Sequence, residues 1–383
     1  MKPHQIHIPT EIYFGRNIWE ASLKEIGHLL NGTILIATTG RSLERLGYLG
    51  KLKSELEKYA LEKKVVVFDK VSPNPKLSEV REGVEAAKKC GAEVIVGFGG
   101  GSAIDMAKAI AAGAQNKRDI GQYFYDNIEP EEGILPVIAV PTTAGTGSEL
   151  SKAAIITDEK TRIKSGIRGR KLYPKAAIVD SVFTESVPFE KTMQTGFDVL
   201  AHAMESTISK AASPYTQMQS EYAIKTVGRM LPRLALNLQD IEARKQMSYV
   251  SMLMGINLGN ASTGLPHRLQ YPLGAFTDTS HGMGLAALYP AWIDYEYQYS
   301  REKVEQMISI LAGASSHGKE TCVYVIKNFI ASLKLPVSLK EMGIEKASVK
   351  EMAESVTGNL LNDPASQEPD IIQKIYKRAL EGV

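Results

Sequence analysis

Four residues of this chain have the types and spacing of metal ligands: Asp198, His202, His267 and His281. Asp198 and His202 lie in Gly196-Phe197-Asp198-Val199-Leu200-Ala201-His202-Ala203-Met204-Glu205, and an i, i+4 spacing puts both on one face of a helix, one turn apart. His267 follows Leu265-Pro266, and His281 lies in Ser280-His281-Gly282. Each fragment alone has an ordinary explanation: a surface ion pair for the first, a turn for a histidine before glycine. Three imidazoles and one carboxylate together make a mixed nitrogen and oxygen site suited to a divalent transition metal such as iron or zinc. Only seven histidines occur in 383 residues, so three in one candidate site is a concentration of a scarce ligand.

A second chemical feature lies upstream. The run Val94 to Phe98 leads into Gly99-Gly100-Gly101-Ser102-Ala103-Ile104-Asp105, and a helical pattern begins at Met106-Ala107-Lys108. Strand, glycines and helix start together offer backbone N–H groups and the positive end of a helix dipole to a phosphate. Ser102 is the expected N-cap and a further phosphate donor. The spacing is not the usual G-x-G-x-x-G dinucleotide fingerprint. Pro141-Thr142-Thr143-Ala144-Gly145-Thr146-Gly147-Ser148-Glu149 follows another strand and places hydroxyls where α/β sheets bind ligands. The two loops together predict a pyrophosphate and ribose site.

The elements that must position these residues change character along the chain. Thr33–Thr38, Lys64–Phe68, Glu93–Phe98, Pro136–Val140 and Ala176–Asp180 read as buried strands. Amphipathic helical stretches such as Leu49 to Leu61 and Leu77 to Cys90 lie between them, which predicts a parallel sheet covered on both faces. After about Pro188 the valine-rich runs stop and long helical patterns take over, with start signals at Ser213-Pro214 and Asp363-Pro364. The expected architecture is an α/β dinucleotide-binding domain over residues 1–187, followed by an all-helical metal-binding domain over 188–383. The glycine-rich loop falls in the first and all four ligands in the second, so a shared site is expected in the cleft between them.

Composition narrows the class. Hydrophobic residues make up 44% and charged residues 23%, which supports an ordinary globular core. The net charge of +2 is spread along the chain, without the basic stripe of a nucleic-acid binder or the polybasic run of a lipid-surface protein. Cys90 and Cys322 are the only cysteines, which excludes a disulfide framework and suggests the reducing cytoplasm. The N-terminus lacks signal-peptide features, and no run of 18 apolar residues suggests a membrane span.

With these motifs in hand, the chain resembles the iron-containing, group III alcohol dehydrogenases, which share the dehydroquinate synthase-like fold. The resemblance is carried nearly end to end by Ile8-Pro9-Thr10-Glu11-Ile12-Tyr13-Phe14-Gly15, Pro73-Asn74-Pro75, the GGGS loop, PTTAGTGSE, the Asp-x3-His segment and the His-x13-His segment. It implies that Asp198, His202, His267 and His281 bind one catalytic divalent metal, Fe(II) or in some members zinc. It also implies that Gly99, Gly100, Gly101 and Ser102 hold the cofactor pyrophosphate. Thr142, Thr143 and Thr146 then contact the cofactor near the nicotinamide, and Lys164 faces it. Asn74, Asp105 and Ser148, within the same motifs, complete the expected cofactor set. The implied reaction is hydride transfer between nicotinamide C4 and a small alcohol or aldehyde. Family members commonly form dimers or larger assemblies, so a homo-oligomer is expected, with an exposed N-terminal strand near Ile6 to Ile12 as a pairing edge.

Two departures from the family pattern matter. Many members carry a second histidine four residues after the third ligand; here Tyr271 stands there, in His267-Arg268-Leu269-Gln270-Tyr271-Pro272. A phenol can donate a proton, although its ordinary pKa is about 10, and Tyr271 is the expected catalytic relay. Members that prefer NAD often carry an acidic residue after the first strand. This chain has Thr38-Thr39-Gly40-Arg41-Ser42 instead. Thr39, Gly40, Arg41 and Ser42 would suit a 2′-phosphate, which favours NADP(H) over NAD(H). Arg268 adjoins a ligand, but neighbouring helix residues diverge, so it is expected to face solvent or an acidic partner. Competing readings are a hydroxyacid–oxoacid transhydrogenase that retains its nicotinamide, as His-x3-Tyr-Pro suggests, and a catalytically silent nucleotide-binding regulatory protein. A metal-dependent lyase or cyclase of the wider superfamily fits the end-to-end match less well.

Overall fold

The computed structural model describes residues 3–39, 41–60, 63–130 and 133–383. The chain forms two compact units. One comprises Ile8–Thr143 and Gly147–Thr184; the other comprises Met1–His7, Ala144–Thr146 and Glu185–Val383.

The first unit is built on strands β1 (Glu11–Gly15), β2 (Ile34–Thr38), β3 (Val65–Phe68), β4 (Val94–Gly99), β5 (Val137–Pro141), β6 (Ala153–Asp158), β7 (Ile163–Arg168) and β8 (Ala176–Asp180). Its helices are α1 (Trp19–Glu25), α2 (Arg41–Arg45), α3 (Tyr48–Glu57), α4 (Leu77–Cys90), α5 (Gly101–Ala114) and α6 (Ile120–Tyr125). Six strands make a parallel sheet in the order β1-β8-β5-β4-β2-β3, while β6 and β7 form a separate antiparallel pair.

Alternation along the strands builds a core on each face. Ile34 and Ile36 of β2 join Val94, Val96 and Phe98 of β4 under α1 and α3, packing with Trp19, Leu23, Leu52 and Leu56. Leu35, Ala37 and Ile95 point the other way, to Val80 and Val84 of α4 and Met106 and Ile110 of α5. This is the period-two geometry of a sheet covered on both faces. The chain runs from β2 outward to β3, then returns to place β4 on the other side of β2. The ends of β2 and β4 therefore flank a topological switch point, where sheets of this type bind ligands.

The N-terminal strand differs from expectation. Residues 6–9 carry no regular structure, and the strand is Glu11–Gly15, paired in parallel with β8 in the main sheet. Its sequence is too short and too polar at Glu11 to stand out by alternation. The β6–β7 hairpin, with its partly buried pattern, was also missed.

The second unit is helical: α7 (Phe189–Ile208), α8 (Pro214–Leu236), α9 (Ile241–Asn260), α10 (Leu265–Thr277), α11 (His281–Glu296), α12 (Arg301–Ala312), α13 (Lys319–Ser332), α14 (Ser348–Glu354) and α15 (Ile371–Glu381). Ser213 caps α8, accepting from Thr216 N at 3.3 Å, with Pro214 as the first helical residue. One apolar core, including Phe197, Leu200, Met204, Leu269, Leu273, Tyr289 and Trp292, packs α7, α10 and α11 together. No helix among the described residues is long and apolar enough to cross a membrane.

The start of α10 rests on a buried acid pair. Asp363 Oδ2 accepts from Leu265 N at 2.8 Å and from Trp292 Nε1 at 3.1 Å, and Glu296 Oε2 accepts from Ala365 N at 3.1 Å. Burial, reinforced by the Asp363 charge and a hydrogen bond between the two carboxyls, pushes Glu296 well above the ordinary carboxylate range. The folded pair thus keeps a proton that the unfolded chain releases. Its contribution to stability is present at low pH and is lost as pH rises above the ordinary value of 4.5. Glu296→Gln is expected to flatten the fall in melting temperature from mildly acidic to alkaline pH; an unchanged slope would show that the pair shares no proton.

Candidate metal and cofactor sites

In the helical unit, α7 carries Asp198 and His202 one turn apart, α10 begins two residues before His267, and α11 begins at His281. Asp198, His267 and His281 each bring one donor atom within 4.8 Å of the others. Asp198 Oδ1 lies 3.3 Å from His267 Nε2 and 3.5 Å from His281 Nε2. His202 stands beside this group rather than within it. Its ring centroid is 4.3 Å from that of His267, and its Nδ1 is 3.5 Å from Asp198 Oδ1. Three of the expected four donors thus converge most tightly, with the His202 ring tilted at 38° beside that of His267.

The donor set fits a cation. Asp198 Oδ1, His202 Nδ1 and His267 Nε2 are all buried without a hydrogen-bond partner. Buried polar atoms rarely remain unpaired, and three together around one point mark a place where a ligand satisfies them. Burial alone would raise the Asp198 pKa, but the neighbouring His202, His281 and His267 imidazoles hold it well below the carboxylate range. Burial drives His202 down to about 4. His267 goes the other way: burial is outweighed by Glu205 and Asp198, and its pKa rises to about 10. Two buried carboxylates flank that ring, and the pocket favours positive charge.

The orientation of the imidazoles is set from behind. Glu205 Oε1 accepts from His267 Nδ1 at 2.7 Å, fixing Nε2 toward Asp198. The other Glu205 oxygen accepts from Gly264 N at 2.7 Å, just before α10. Gln270 Oε1 accepts from His281 Nδ1 in the same way. Sequence reasoning did not assign Glu205 or Gln270. The signal for Glu205 was present, because positions 198, 202 and 205 lie along one face of a helix. Glu205→Gln is expected to weaken divalent-cation affinity about 10- to 100-fold, measured by competition with a metallochromic chelator. Unchanged affinity would leave Glu205 a purely structural role.

In the α/β unit, Gly99 takes φ +154° and Gly100 is the N-cap of α5. A Cβ on Gly99 would fall 2.7 Å from that of Ala103, and one on Gly100 would fall 3.2 Å from Thr143 Oγ1. The glycines therefore keep the backbone open at the end of β4, beside Thr143 and within reach of Thr39 at the end of β2. Ser102 is not the cap: it lies in the first turn, and its hydroxyl donates to Pro73 O. Thr142 N donates to Gly99 O at 2.9 Å, tying the two loops together. Lys164, buried on β7, donates to Asn74 Oδ1 at 3.1 Å. Arg41 and Ser42 open α2 and are exposed, while Gly40 lies outside the described residues. Thr146 belongs with the helical unit.

Asp105 and Ser148 are engaged with a residue that sequence reasoning passed over. Lys108 is fully buried, and its Nζ donates to Ser148 Oγ at 2.7 Å, Ser151 Oγ at 3.1 Å and Asp105 Oδ1 at 3.3 Å. Asp105 Oδ2 also accepts from Ile155 N at 3.0 Å. These bonds lock α5 to the loop after β5, so Asp105 and Ser148 shape the cradle from its base.

Comparison with known proteins accounts for nearly the whole chain. Residues 9–181 match the family model described as iron-containing alcohol dehydrogenase. Residues 192–380 match the C-terminal model of the Fe-containing alcohol dehydrogenase family. The chain belongs to the iron-containing alcohol dehydrogenase family. It is 31% identical to 1,3-propanediol dehydrogenase of Citrobacter freundii, covering 97% of each chain. It is 28% identical to NADPH-dependent butanol dehydrogenase of Clostridium saccharobutylicum, covering 97% of this chain and 96% of the relative. Its fold matches the crystal structure of NADH-dependent butanol dehydrogenase A from Thermotoga maritima with a TM-score of 0.89, 30% identity and 99% coverage of both chains. The family assignment makes the protein an oxidoreductase, and relatives of both cofactor types fall at similar distance.

Proposed function

We propose that the protein is a metal-dependent, NAD(P)-linked alcohol dehydrogenase or aldehyde reductase acting on small substrates, with NADP(H) preferred. The observation that carries this reading is the convergence of Asp198, His267 and His281 around orphaned buried donors, in a chain that also holds the glycine cradle. Asp198, His202, His267 and His281 are the residues that would hold the cation. A divalent ion there, Fe(II) by family membership, supplies a Lewis acid for the oxygen on the reacting carbon.

The protein's own groups do the rest. The backbone of Gly99, Gly100 and Gly101, with Ser102, receives the pyrophosphate at the start of α5. Thr142, Thr143 and Thr146 orient the nicotinamide, and Asn74 presents the Lys164 ammonium to the cofactor. Arg41, flanked by Thr39 and Ser42 and without a carboxylate after β2, favours a 2′-phosphate. Tyr271, buried on α10 one turn beyond His267, is the hydroxyl assigned to pass a proton to the product alcohol. Glu205 fixes the His267 imidazole from behind.

The test is NADPH and NADH oxidation with a panel of small aldehydes, using protein loaded anaerobically with Fe(II). Turnover that needs the metal and is faster with NADPH is the expected result. Turnover favouring NADH would remove the Arg41 argument, and no turnover with either cofactor despite confirmed loading would overturn the reductase reading for that panel.

A further inference from the structure

Arg268 departs from the expectation of a solvent-facing or acid-paired side chain. It is only 6% exposed, and no carboxylate among the described residues lies within ion-pair distance. Its Nε is buried without a hydrogen-bond partner. The polar contact recorded for its guanidinium is a long one, from Nη1 to Tyr271 Oη at 3.5 Å. A guanidinium keeps its charge when buried. Burying a charge without a counter-charge is costly, and folded proteins ordinarily supply a partner. Here no such partner is found among the described residues.

The direction of the side chain narrows what the partner is. Tyr271 is four residues from His267 and three from Arg268, so on helix α10 it neighbours both. The guanidinium carbon lies 5.6 Å from the centre of the Tyr271 ring. The Arg268 head thus lies beside Tyr271, which shares a face of α10 with His267. On its other side lies Gly358, at φ +93°, where a Cβ would come within 3.2 Å of Arg268 Cδ and Nη1. The absence of a side chain there lets the 358 loop approach the guanidinium while Nε stays without a partner.

We propose that Arg268 binds an anionic group of the substrate, so that the preferred substrates are short aldehydes or alcohols carrying a carboxylate, sulfonate or phosphonate. A guanidinium presents paired donors that match the two oxygens of such a group, and the contact is strongest where water is excluded. Tyr271 then has two uses: it supports the guanidinium from below and keeps its hydroxyl near the ligand face. This deepens the reductase reading and rests on it.

The experiment compares kcat/KM for 4-oxobutanoate and for butanal, an anionic and a neutral aldehyde of equal chain length, on the Fe(II)-loaded enzyme. The wild type is expected to prefer the anion. Arg268→Met, which keeps the packing volume, is expected to reduce the anion-to-neutral ratio about 100-fold, as for loss of one partner from a buried charge pair. Arg268→Lys should restore part of that ratio. A ratio of one in the wild type, or a ratio unchanged by Arg268→Met, overturns the proposal. If the Michaelis constant for NADPH rises while the aldehyde ratio holds, the anion is the cofactor's phosphate and the proposal fails equally. Should Arg268→Met not fold, competitive inhibition of wild-type butanal reduction by succinate but not by succinamide decides the point, and the absence of that difference overturns it. Turnover of butanal alone preserves the reductase reading while rejecting this one, and turnover of neither aldehyde rejects the reductase reading first.

Discussion

Asp198→Ala is expected to abolish tight cation binding and to lower kcat/KM for aldehyde reduction by about three orders of magnitude or more, the scale of a lost Lewis acid worth several kcal/mol. Asp198 Oδ1 is the atom around which His202, His267 and His281 gather, at 3.5, 3.3 and 3.5 Å. Removing it leaves three imidazoles, those of His202 and His267 buried and that of His281 partly exposed, and no anion between them, so the donor set loses both charge and geometry. Glu205 remains on the far side of His267 and holds that ring in place, which predicts that the fold survives the change. Metal analysis after gel filtration, paired with the reduction rate, checks both halves. Substoichiometric metal with the rate intact would remove Asp198 from the chemistry.

The second large effect is expected from Gly282→Ala, a residue that binds nothing. A Cβ at Gly282 would lie 2.2 Å from the backbone oxygen of Gln194 and 2.7 Å from its carbonyl carbon. Neither atom can rotate away, so α11 must move back from α7. Gln194 lies one turn before Asp198 on α7, and Gly282 follows His281 on α11. The displacement therefore acts on the separation between His281 and Asp198. Overpacking of this kind typically costs about 1–3 kcal/mol of stability, and the larger consequence falls on metal affinity. A fall in melting temperature together with weaker metal binding is expected. Weaker stability with unchanged metal affinity would mean that His281 follows the helix without cost.

Much of this was legible in the sequence because the signals were local. The continuous apolar run at Ile34 to Ala37 read as a buried strand, as β2 is, and Leu77 to Cys90 matched α4 residue for residue. The glycines after β4 had to serve a close backbone approach, and Gly99 does adopt the conformation that only glycine takes readily. What escaped detection depends on long-range packing. Lys108 is a core residue because Ser148, Ser151 and Asp105 converge on it, and nothing within four residues announces that. Arg268 was expected outside because a charged residue beside a buried one usually turns away; the 358 loop that covers it is some 90 residues distant in sequence. Ser102 lost the capping position to Gly100 because the helix begins a turn earlier than its apolar run suggests.

The most direct test of the account is a metal titration of chelator-treated protein under anaerobic conditions, following NADPH-dependent aldehyde reduction against equivalents of Fe(II). The account predicts negligible activity without metal, a rise that breaks near one equivalent per chain, and no recovery in Asp198→Ala at any addition. Full activity in the rigorously chelated protein, or equal recovery in Asp198→Ala, would contradict the claim that these helices were assembled around a cation.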